Sequence, residues 1–253
     1  MIGFTSSTPC SGTDASHRLE LIEELYQRYG NTRGVVQQFR YWRKKYSWIM
    51  VVGLSRGLKR AVDIVVSLAA LIILLPVFMT VAAVIKLTDW GPVLFWQVRV
   101  GQWGKEFPFP KFRSMVCNAE KLKDQLLAQN DHGNSVTFKM KNDPRITIIG
   151  RIIRKLSIDE LPQLWCVLSG DMSLVGPRPP VQREVEKYTL ADRRRLDVKP
   201  GLTCIWQVSG RGDIAFNQQV ELDVRYIESQ SLWLDFVLLI KTVPAVLSGK
   251  GAY

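Results

Sequence analysis

Two adjacent carboxylates, Asp159 and Glu160, stand in the stretch KLSIDELPQLWCVLSGDMSLVGPRPP, which covers residues 155–180. A purely structural role is available: Ser157 and Glu160 match an S-x-x-E capping box at a helix start. Alternatively, Asp159 caps the helix and Pro162 lies in its first turn. Either cap needs only one acid, so the second carboxylate favours a chemical role. Paired carboxylates among basic residues indicate metal-assisted phosphoryl chemistry.

Arginines surround this acid pair in the sequence at turns and helix ends. A guanidinium group in such a place suits a bidentate grip on phosphate oxygens. The alternative for each arginine is a solvated surface charge. Five of them lie beside glycines, prolines or helix ends: Arg145, Arg151, Arg154, Arg178 and Arg211.

Composition points to an acidic partner in a reducing compartment. The 253 residues include 34 Lys+Arg against 23 Asp+Glu, a formal charge of +11, which fits nucleic acid, anionic lipid or a phosphorylated substrate. The four cysteines are widely separated and there are only two histidines, so neither a disulfide framework nor a zinc site of ordinary spacing is expected.

A long apolar run, residues 61–87, carries no charge from Ile64 to Ile85, which is about the length needed to cross a bilayer core. Pro76 lies near its middle and should kink the helix. Positive charge marks the cytoplasmic side of a membrane segment, and both flanks carry it. The sequence therefore predicts a re-entrant membrane helix over 51–90, broken at Pro76. A spanning helix and a buried core helix remain as alternatives. The basic flanks are Lys44, Lys45, Arg56, Lys59 and Arg60 on one side and Lys86, Arg99, Lys105, Lys111 and Arg113 on the other.

The N-terminal region, 1–50, reads as a disordered tail followed by an amphipathic and interfacial segment. Residues 1–15 are rich in Ser, Thr and Gly. The stretch SHRLELIEELYQRYG predicts a short amphipathic helix. Residues 37–50 interleave aromatic and basic side chains, which is typical of the lipid headgroup layer. The same mixture could also bind single-stranded nucleic acid.

The remaining residues, 91–253, predict an α+β domain that is mostly helical. Strand-like pieces are expected over 91–115, a helix over 118–130 and a polar loop over 131–147. Residues 148–170 predict a helix, an interruption and a second helix, and two further helices close the chain. The predicted fold is thus a re-entrant helical hairpin plus an interfacial cytoplasmic catalytic domain.

The motifs LSIDELPQLWCVLSGDMSLVGPRP, KFRSM, QVSGRGDIAF and GKGAY, in this order, resemble the bacterial sugar transferase family, the monotopic phosphoglycosyl transferases. The resemblance covers about residues 56–253 and suggests a compact form of the family. It implies transfer of a hexose 1-phosphate from a UDP-sugar to undecaprenyl phosphate with release of UMP. That reaction would initiate exopolysaccharide, O-antigen or capsule synthesis on the cytoplasmic face of the bacterial inner membrane.

The same resemblance assigns roles to individual residues. Asp159 would be the nucleophile that forms a covalent aspartyl-phosphosugar, and Asp159 and Glu160 would hold Mg²⁺. Asp235 would be structural. Phosphate binding falls to Lys111, Arg154, Arg178 and Arg211, and the candidate wall of the nucleotide site consists of Trp206, Gln207 and Asp223.

Other functions remain open at this stage. A membrane-anchored, non-catalytic scaffold would tolerate loss of Asp159, and a basic nucleic-acid-binding protein would bind less tightly as salt rises. The resemblance argues against nucleic acid and for an anionic membrane surface as partner, and it leaves homo-oligomerisation open. The tail resembles members that use UDP-glucose or UDP-galactose more than members that use N-acetylated sugars.

Overall fold

A computed structural model describes part of the chain. Most of the expected helix over 118–130, most of the loop over 131–147 and the tail over 1–15 lie outside the described residues. Contacts divide the chain into two units, Met1–Gly57 and Leu58–Tyr253. The described residues are 20–25, 27, 35–116, 119, 143–249 and 251.

The first unit is helical where it is described. Residues 20–25 are helical, within the stretch predicted as an amphipathic helix. Helix α1, Val35–Ile73, begins in this unit and continues into the second. Trp42 and Tyr46 stack with their ring centroids 5.5 Å apart, and the Lys45 ammonium lies 5.3 Å from the Trp42 ring centroid. The mixture of aromatic and basic residues therefore lies along one continuous helix.

The apolar run breaks at Leu74, between α1 and helix α2, Leu75–Asp89. Pro76 lies in the first turn of α2, where its missing N–H costs least. The break thus falls two residues before the predicted position. Among the described residues no single helix has the length and apolarity to cross a membrane. The pair Gln37–Ile73 and Leu75–Thr88, bent by 57°, meets that test together, by length and composition alone.

The strand-like pieces predicted after α2 form one antiparallel hairpin. Strand β1, Leu94–Val100, pairs with strand β2, Glu106–Phe112, in a register that sets Gln97 opposite Phe109. Strand β2 buries Phe107, Phe109 and Phe112 in the protein interior. Lys111 therefore lies on a strand that is fixed by buried aromatic side chains on both sides of it.

The acid pair lies at the predicted interruption between two helices. Helix α3, Ile148–Lys155, is capped by Thr147, whose hydroxyl accepts from the Gly150 N–H at 2.9 Å. A 3₁₀ helix, Ile158–Gln163, follows and leads directly into helix α4, Leu164–Ser169.

A second, parallel pair of short strands follows α4. Strand β3, Ser173–Val175, pairs with strand β4, Gly201–Thr203. Their backbones approach so closely that a Cβ on Gly201 would lie 2.0 Å from the Gly176 nitrogen. Gly176 begins the turn that carries Arg178, so this contact fixes the start of that turn.

Short helices connect the strands, and two longer ones close the chain, as predicted. One core cluster in this unit includes Phe109 of β2, Met172 before β3, and Tyr226 and Leu238 of the closing helices. The described part of the chain is therefore mostly helical with small sheets, which confirms the α+β prediction. The remaining helices are α5 Gln182–Val185, α6 Leu190–Arg193, α7 Ile205–Ser209, α8 Phe216–Glu228 and α9 Leu232–Ser248.

Candidate active site

A cavity of about 760 Å³ in the second unit gathers most of the predicted site residues. Its wall is formed by residues of β2, the 3₁₀ helix of the acid pair, the turn after β3 and the region around α7. Such a concave site with convergent polar groups is the usual form of a ligand pocket. The predicted residues that line it are Lys111, Arg154, Asp159, Glu160, Arg178, Trp206, Gln207 and Arg211.

Neither proposed cap explains the acid pair. Ser157 lies in the left-handed region with φ of 53° and its side chain makes no capping hydrogen bond. Asp159 lies inside the first turn of the 3₁₀ helix, so it is not the capping residue either. The capping explanation is therefore wrong. A non-glycine residue at positive φ is strained, and such strain is typical of functional sites.

Glu160 is held as a fixed negative charge by two cations. Lys111 Nζ donates to its Oε1 at 2.7 Å, and Arg178 Nη2 donates to the same oxygen at 2.8 Å. Burial alone would raise the pKa of Glu160, but the charges of Arg178 and Lys111 hold it well below its usual range. Glu160 in turn raises the pKa of Arg178. The acid therefore joins β2 to the turn after β3.

Asp159 has different surroundings from its neighbour. Its side chain is buried, and Lys111 Nζ lies 3.8 Å from Oδ2, which is an ion pair without a hydrogen bond. Burial raises the pKa of Asp159, and the negative charge of Glu160 adds to this, while Lys111 opposes it. The pKa values of the two adjacent carboxyls are thus shifted in opposite directions, a pattern that is frequent at catalytic sites.

Lys111 and Arg178 form ion pairs with the acid pair, whereas Arg154 and Arg211 interact with it through their charges without an ion pair within the described residues. Arg154 is in the last turn of α3, and its charge helps to lower the pKa of Asp159. Arg211 has φ of 52°, and its Nη1 is buried without a hydrogen-bond partner among the described residues. Burial lowers the pKa of Arg211. A buried donor without an acceptor is costly unless a ligand supplies one.

Asp223 lies behind the cavity wall rather than in it. It is fully buried, and it accepts from Trp206 Nε1 at 3.4 Å and pairs with Arg195 Nη2 at 2.7 Å. Burial raises its pKa to about 6 even with Arg195 so close. Asp223 thus holds Trp206 and Arg195, both of which line the cavity.

Two cavity arginines, Arg99 and Arg195, were missed by the sequence reasoning. Arg99 Nη1 donates to the Pro179 carbonyl at 3.0 Å, and burial lowers its pKa to about 10. Arg195 packs with its guanidinium 5.8 Å from the ring centroids of both Tyr188 and Phe216. Arg99 alternates with apolar residues in a strand, and Arg195 follows two other arginines, so only their tertiary positions distinguish them from surface charges.

Arg145 lines the cavity, but its guanidinium is paired with Asp143. Arg145 Nε and Nη2 donate to the two Asp143 carboxylate oxygens at distances of 2.6–3.1 Å. Both residues are buried. The pair therefore stabilises the entry to α3, and its arginine is more strongly committed within the protein than Arg211.

The acid pair suits Mg²⁺ only if a substrate completes the coordination. In the described ranges no group of three or more His, Cys, Asp or Glu side chains could hold a metal ion. Mg²⁺ is commonly bound by one or two carboxylates together with substrate phosphates and water. Within the described residues both donors to Glu160 bind Oε1, so Asp159 and the other Glu160 oxygen provide ligands of the right chemistry.

Comparison with known proteins places these residues in a family context. Residues 54–249 match the family model described as bacterial sugar transferase. The chain is 48% identical over 203 residues to the undecaprenyl-phosphate galactose phosphotransferase of Salmonella typhimurium, a match that covers 79% of this chain and 42% of that protein. It is 52% identical over 165 residues to galactosyl transferase CpsE of Streptococcus agalactiae, covering 65% of this chain and 36% of that one.

A third relative is matched over most of its own length. It is the exopolysaccharide production protein ExoY of Sinorhizobium fredii, 39% identical over 198 residues, with 77% of this chain and 88% of ExoY covered. The chain thus spans about two fifths of the first two relatives and nearly all of the third. The acid pair and its cations all lie within the segment that matches the family model.

Proposed function

The chain belongs to the bacterial sugar transferase family, and from this membership we propose that it transfers a hexose 1-phosphate from a UDP-sugar to undecaprenyl phosphate. Two relatives are named for galactose transfer, so UDP-galactose is the first donor to test and UDP-glucose the second. The name of the third relative supports a place in exopolysaccharide synthesis.

The observation that carries the proposal is that the two adjacent carboxylates differ in how closely cations bind them. Glu160 is bound by Lys111 and Arg178, whereas the ion pair that Asp159 makes within the described residues is the longer contact with Lys111. In the proposed reaction an Asp159 oxygen attacks the β-phosphorus of the UDP-sugar. The bond from that phosphorus to the bridging oxygen breaks, and UMP leaves with the electron pair. The phosphate of the lipid then attacks the aspartyl-phosphosugar and restores the Asp159 carboxylate.

The main obstacle to this reaction is electrostatic repulsion between a carboxylate and a diphosphate. The surrounding cations reduce that repulsion. Lys111 and Arg178 already bind a carboxylate that lines the cavity, and Arg211 has a buried donor that finds no acceptor among the described residues. Preorganised positive charge of this kind stabilises phosphoryl-transfer transition states. Asp159 and Glu160 would hold Mg²⁺, which when bound offsets further phosphate charge.

We also propose that residues 51–90 enter and leave the cytoplasmic leaflet of the inner membrane, with the body of the protein at its surface. The bend of 57° at Leu74 and the basic flanks support this arrangement. So do exposed apolar side chains on both sides of the break, among them Ile72, Ile73, Leu75 and Met79. A donor from the cytoplasm and a lipid acceptor could then reach one site.

The test is release of UMP by the purified protein in lipid nanodiscs with Mg²⁺. UDP-galactose, UDP-glucose and UDP-N-acetylgalactosamine are compared, with and without undecaprenyl phosphate. Without the acceptor, intact-mass measurement should show the protein heavier by one hexose phosphate. Asp159→Asn should abolish both the adduct and turnover. Full turnover by Asp159→Asn would exclude the covalent route, and no UMP from any donor would reject the proposed activity.

A further inference from the structure

Three charged residues of α1 contact the segment that carries the candidate active site. Lys59, Arg60 and Asp63 all belong to the second unit, and each binds atoms between α4 and the end of β3. In the sequence, Lys59 and Arg60 look like topological charges that flank a membrane segment. Their tertiary contacts indicate an additional role.

Asp63 holds strand β3 by a single buried hydrogen bond. Its side chain is 5% exposed, and its Oδ1 accepts from the Leu174 N–H at 3.0 Å. Leu174 is the middle residue of β3. The Gly-Pro-Arg turn that carries Arg178 begins immediately after this strand, so Asp63 fixes the strand from which Arg178 extends.

Arg60 holds the end of the helix that follows the acid pair. Its Nη1 donates to the Val167 carbonyl at 2.5 Å and its Nη2 to the Leu168 carbonyl at 2.7 Å. The last carbonyls of a helix have few intrahelical donors, and a cation is favourable at that end. Because α4 continues directly from the 3₁₀ helix of Asp159 and Glu160, Arg60 fixes the acid side of the site.

Lys59 completes the set through a buried polar cluster. Its Nζ lies 2.6 Å from Asp235 Oδ2 and 3.2 Å from the Val175 carbonyl. The Tyr226 hydroxyl donates its one proton to Asp235 Oδ1 at 2.7 Å, and its oxygen lies 3.0 Å from the same Val175 carbonyl. This cluster ties the last residue of β3 to α1, α8 and α9, and it gives Asp235 the structural role expected of it.

We propose that Lys59, Arg60 and Asp63 are positioning residues that set the distance between Arg178 and the acid pair. Arg178 reaches Glu160 across 2.8 Å, and the two residues come from opposite ends of one segment. Arg60 holds the part of this segment nearer Glu160, and Asp63 and Lys59 hold the part nearer Arg178. A displacement of about 1 Å at a catalytic group can lower a rate by about 100-fold, so these remote contacts govern turnover. The turnover readout rests on the proposed function.

The decisive comparison is between two substitutions of Asp63. Asp63→Asn keeps a side-chain oxygen that can accept from Leu174, whereas Asp63→Ala removes it. We expect Asp63→Asn to keep kcat for UMP release within about twofold of the wild type, and Asp63→Ala to lose about tenfold or more, with a smaller change in KM. The kcat of Arg60→Lys should lie between the kcat of Arg60→Ala and that of wild type, because one ammonium cannot reproduce the two hydrogen bonds of the guanidinium. Val65→Ala, at a residue 66% exposed on the same helix, is the matched control.

A second readout does not depend on turnover. Hydrogen exchange over peptides that cover residues 159–178 should quicken in Asp63→Ala and Arg60→Ala, and stay as in wild type in Asp63→Asn and Val65→Ala. Unchanged exchange and unchanged kcat in Asp63→Ala would overturn the proposal. Equal loss of kcat in Asp63→Asn and Asp63→Ala would overturn it too, because charge rather than hydrogen bonding would then matter. If wild type releases no UMP, the proposed function fails, and the exchange comparison still decides the positioning role.

Discussion

Asp159 and Glu160 are neighbours in the chain, yet their surroundings differ. Two cations bind Glu160 directly, whereas burial has the largest effect on Asp159. The pKa of Glu160 is lowered by Arg178 and Lys111, whereas burial raises the pKa of Asp159. In the proposed reaction Asp159 is the nucleophile, and weaker binding by cations leaves one of its oxygens available for attack. The same burial makes its negative charge a cost to the folded state.

This cost predicts that Asp159→Asn stabilises the protein while it abolishes the adduct. The folded-state pKa of Asp159 lies above its unfolded value, so the folded state binds more protons between the two values and its stability falls as pH rises. Asparagine carries no charge and avoids this loss. Each pKa unit corresponds to about 1.4 kcal/mol, or roughly 3–6 °C in Tm for a chain of this size.

The measurement is thermal unfolding of both proteins at neutral and at acidic pH. The Tm of Asp159→Asn should exceed that of wild type at pH 7, and the difference should shrink as the pH falls toward the ordinary pKa of an aspartic acid. A lower Tm for Asp159→Asn at pH 7 would contradict a raised pKa for Asp159.

Substitutions of Glu160 and of Lys111 should shift the pKa of Asp159 in opposite directions. Glu160 raises the pKa of Asp159 and Lys111 lowers it. Removing the first charge with Glu160→Gln should shift the acid limb of adduct formation to lower pH, and Lys111→Met should shift it to higher pH. Both variants should also be slower than wild type, so the pH midpoint is compared rather than the rate.

Adduct formation measured by intact mass across pH tests this prediction. Arg194→Ala is a control, because Arg194 makes an exposed ion pair with Glu228 at 3.0 Å, away from the acid pair. A shift in the same direction for Glu160→Gln and Lys111→Met would show that Asp159 does not control the acid limb.

Residue types and local spacing were enough to single out the acid pair and three arginines of the same cavity, Arg154, Arg178 and Arg211, which lie in turns or at helix ends, whereas Lys111 on strand β2 was named only through the family resemblance. They were not enough for Arg195, whose partner Asp223 is distant in sequence. Local sequence was also misleading at Ser157, where a capping pattern coincides with a left-handed backbone. Only the tertiary structure distinguishes these cases.

At the scale of elements, the loop that carries Arg211 is held by Gly251, which follows α9 in the chain. Gly212 N–H donates to the Gly251 carbonyl at 3.3 Å, and Gly251 has φ of 65°. A Cβ on Gly251 would lie 2.6 Å from the Gly210 carbonyl oxygen and 3.1 Å from Arg211 Cβ. Only glycine fits here without moving the Arg211 loop.

Gly251→Ala should therefore raise the KM for the UDP-sugar several-fold by displacing Arg211. Gly104→Ala is a matched control, since Gly104 also has positive φ, 81°, but nothing lies within 4 Å of its added Cβ. Both substitutions incur the left-handed cost of about 1–2 kcal/mol, and only Gly251→Ala disturbs the site. Equal KM values for the two variants in UMP release would refute this role.

The elements themselves were largely predictable from the sequence. Apolar segments alternating with Gly and Pro indicated strand-like pieces, which pair in the structure as the β1–β2 hairpin, and the pattern around the acid pair indicated a helix, an interruption and a second helix. The role of α1 was not predictable, because Lys59, Arg60 and Asp63 adjoin an apolar run in which basic residues ordinarily mark topology. Their partners lie more than 100 residues away in sequence.

At the scale of the whole molecule, the proposed chemistry requires that a water-soluble donor and a lipid acceptor meet at one site. A formal charge of +11 favours an anionic membrane surface. A hairpin that turns back at Leu74 and Pro76 would leave both ends of the membrane segment on the cytoplasmic side. A spanning helix would place the basic residues 40–45 outside, against the usual distribution of positive charge.

Labelling of single cysteines distinguishes these two topologies. Ser6→Cys and Ser248→Cys are made separately after the four native cysteines are replaced by alanine, in a background first shown to release UMP. In right-side-out spheroplasts a membrane-impermeant thiol reagent should modify neither site, and in inverted vesicles it should modify both. Pro76→Ala restores an N–H at the break and should straighten the helix, so part of the Ser6→Cys population should become reactive from outside. Modification of Ser6→Cys but not Ser248→Cys in spheroplasts with Pro76 intact would mean that the chain spans the membrane once. Both reactants could then still reach Asp159, but the bend at Leu74 would not set the topology.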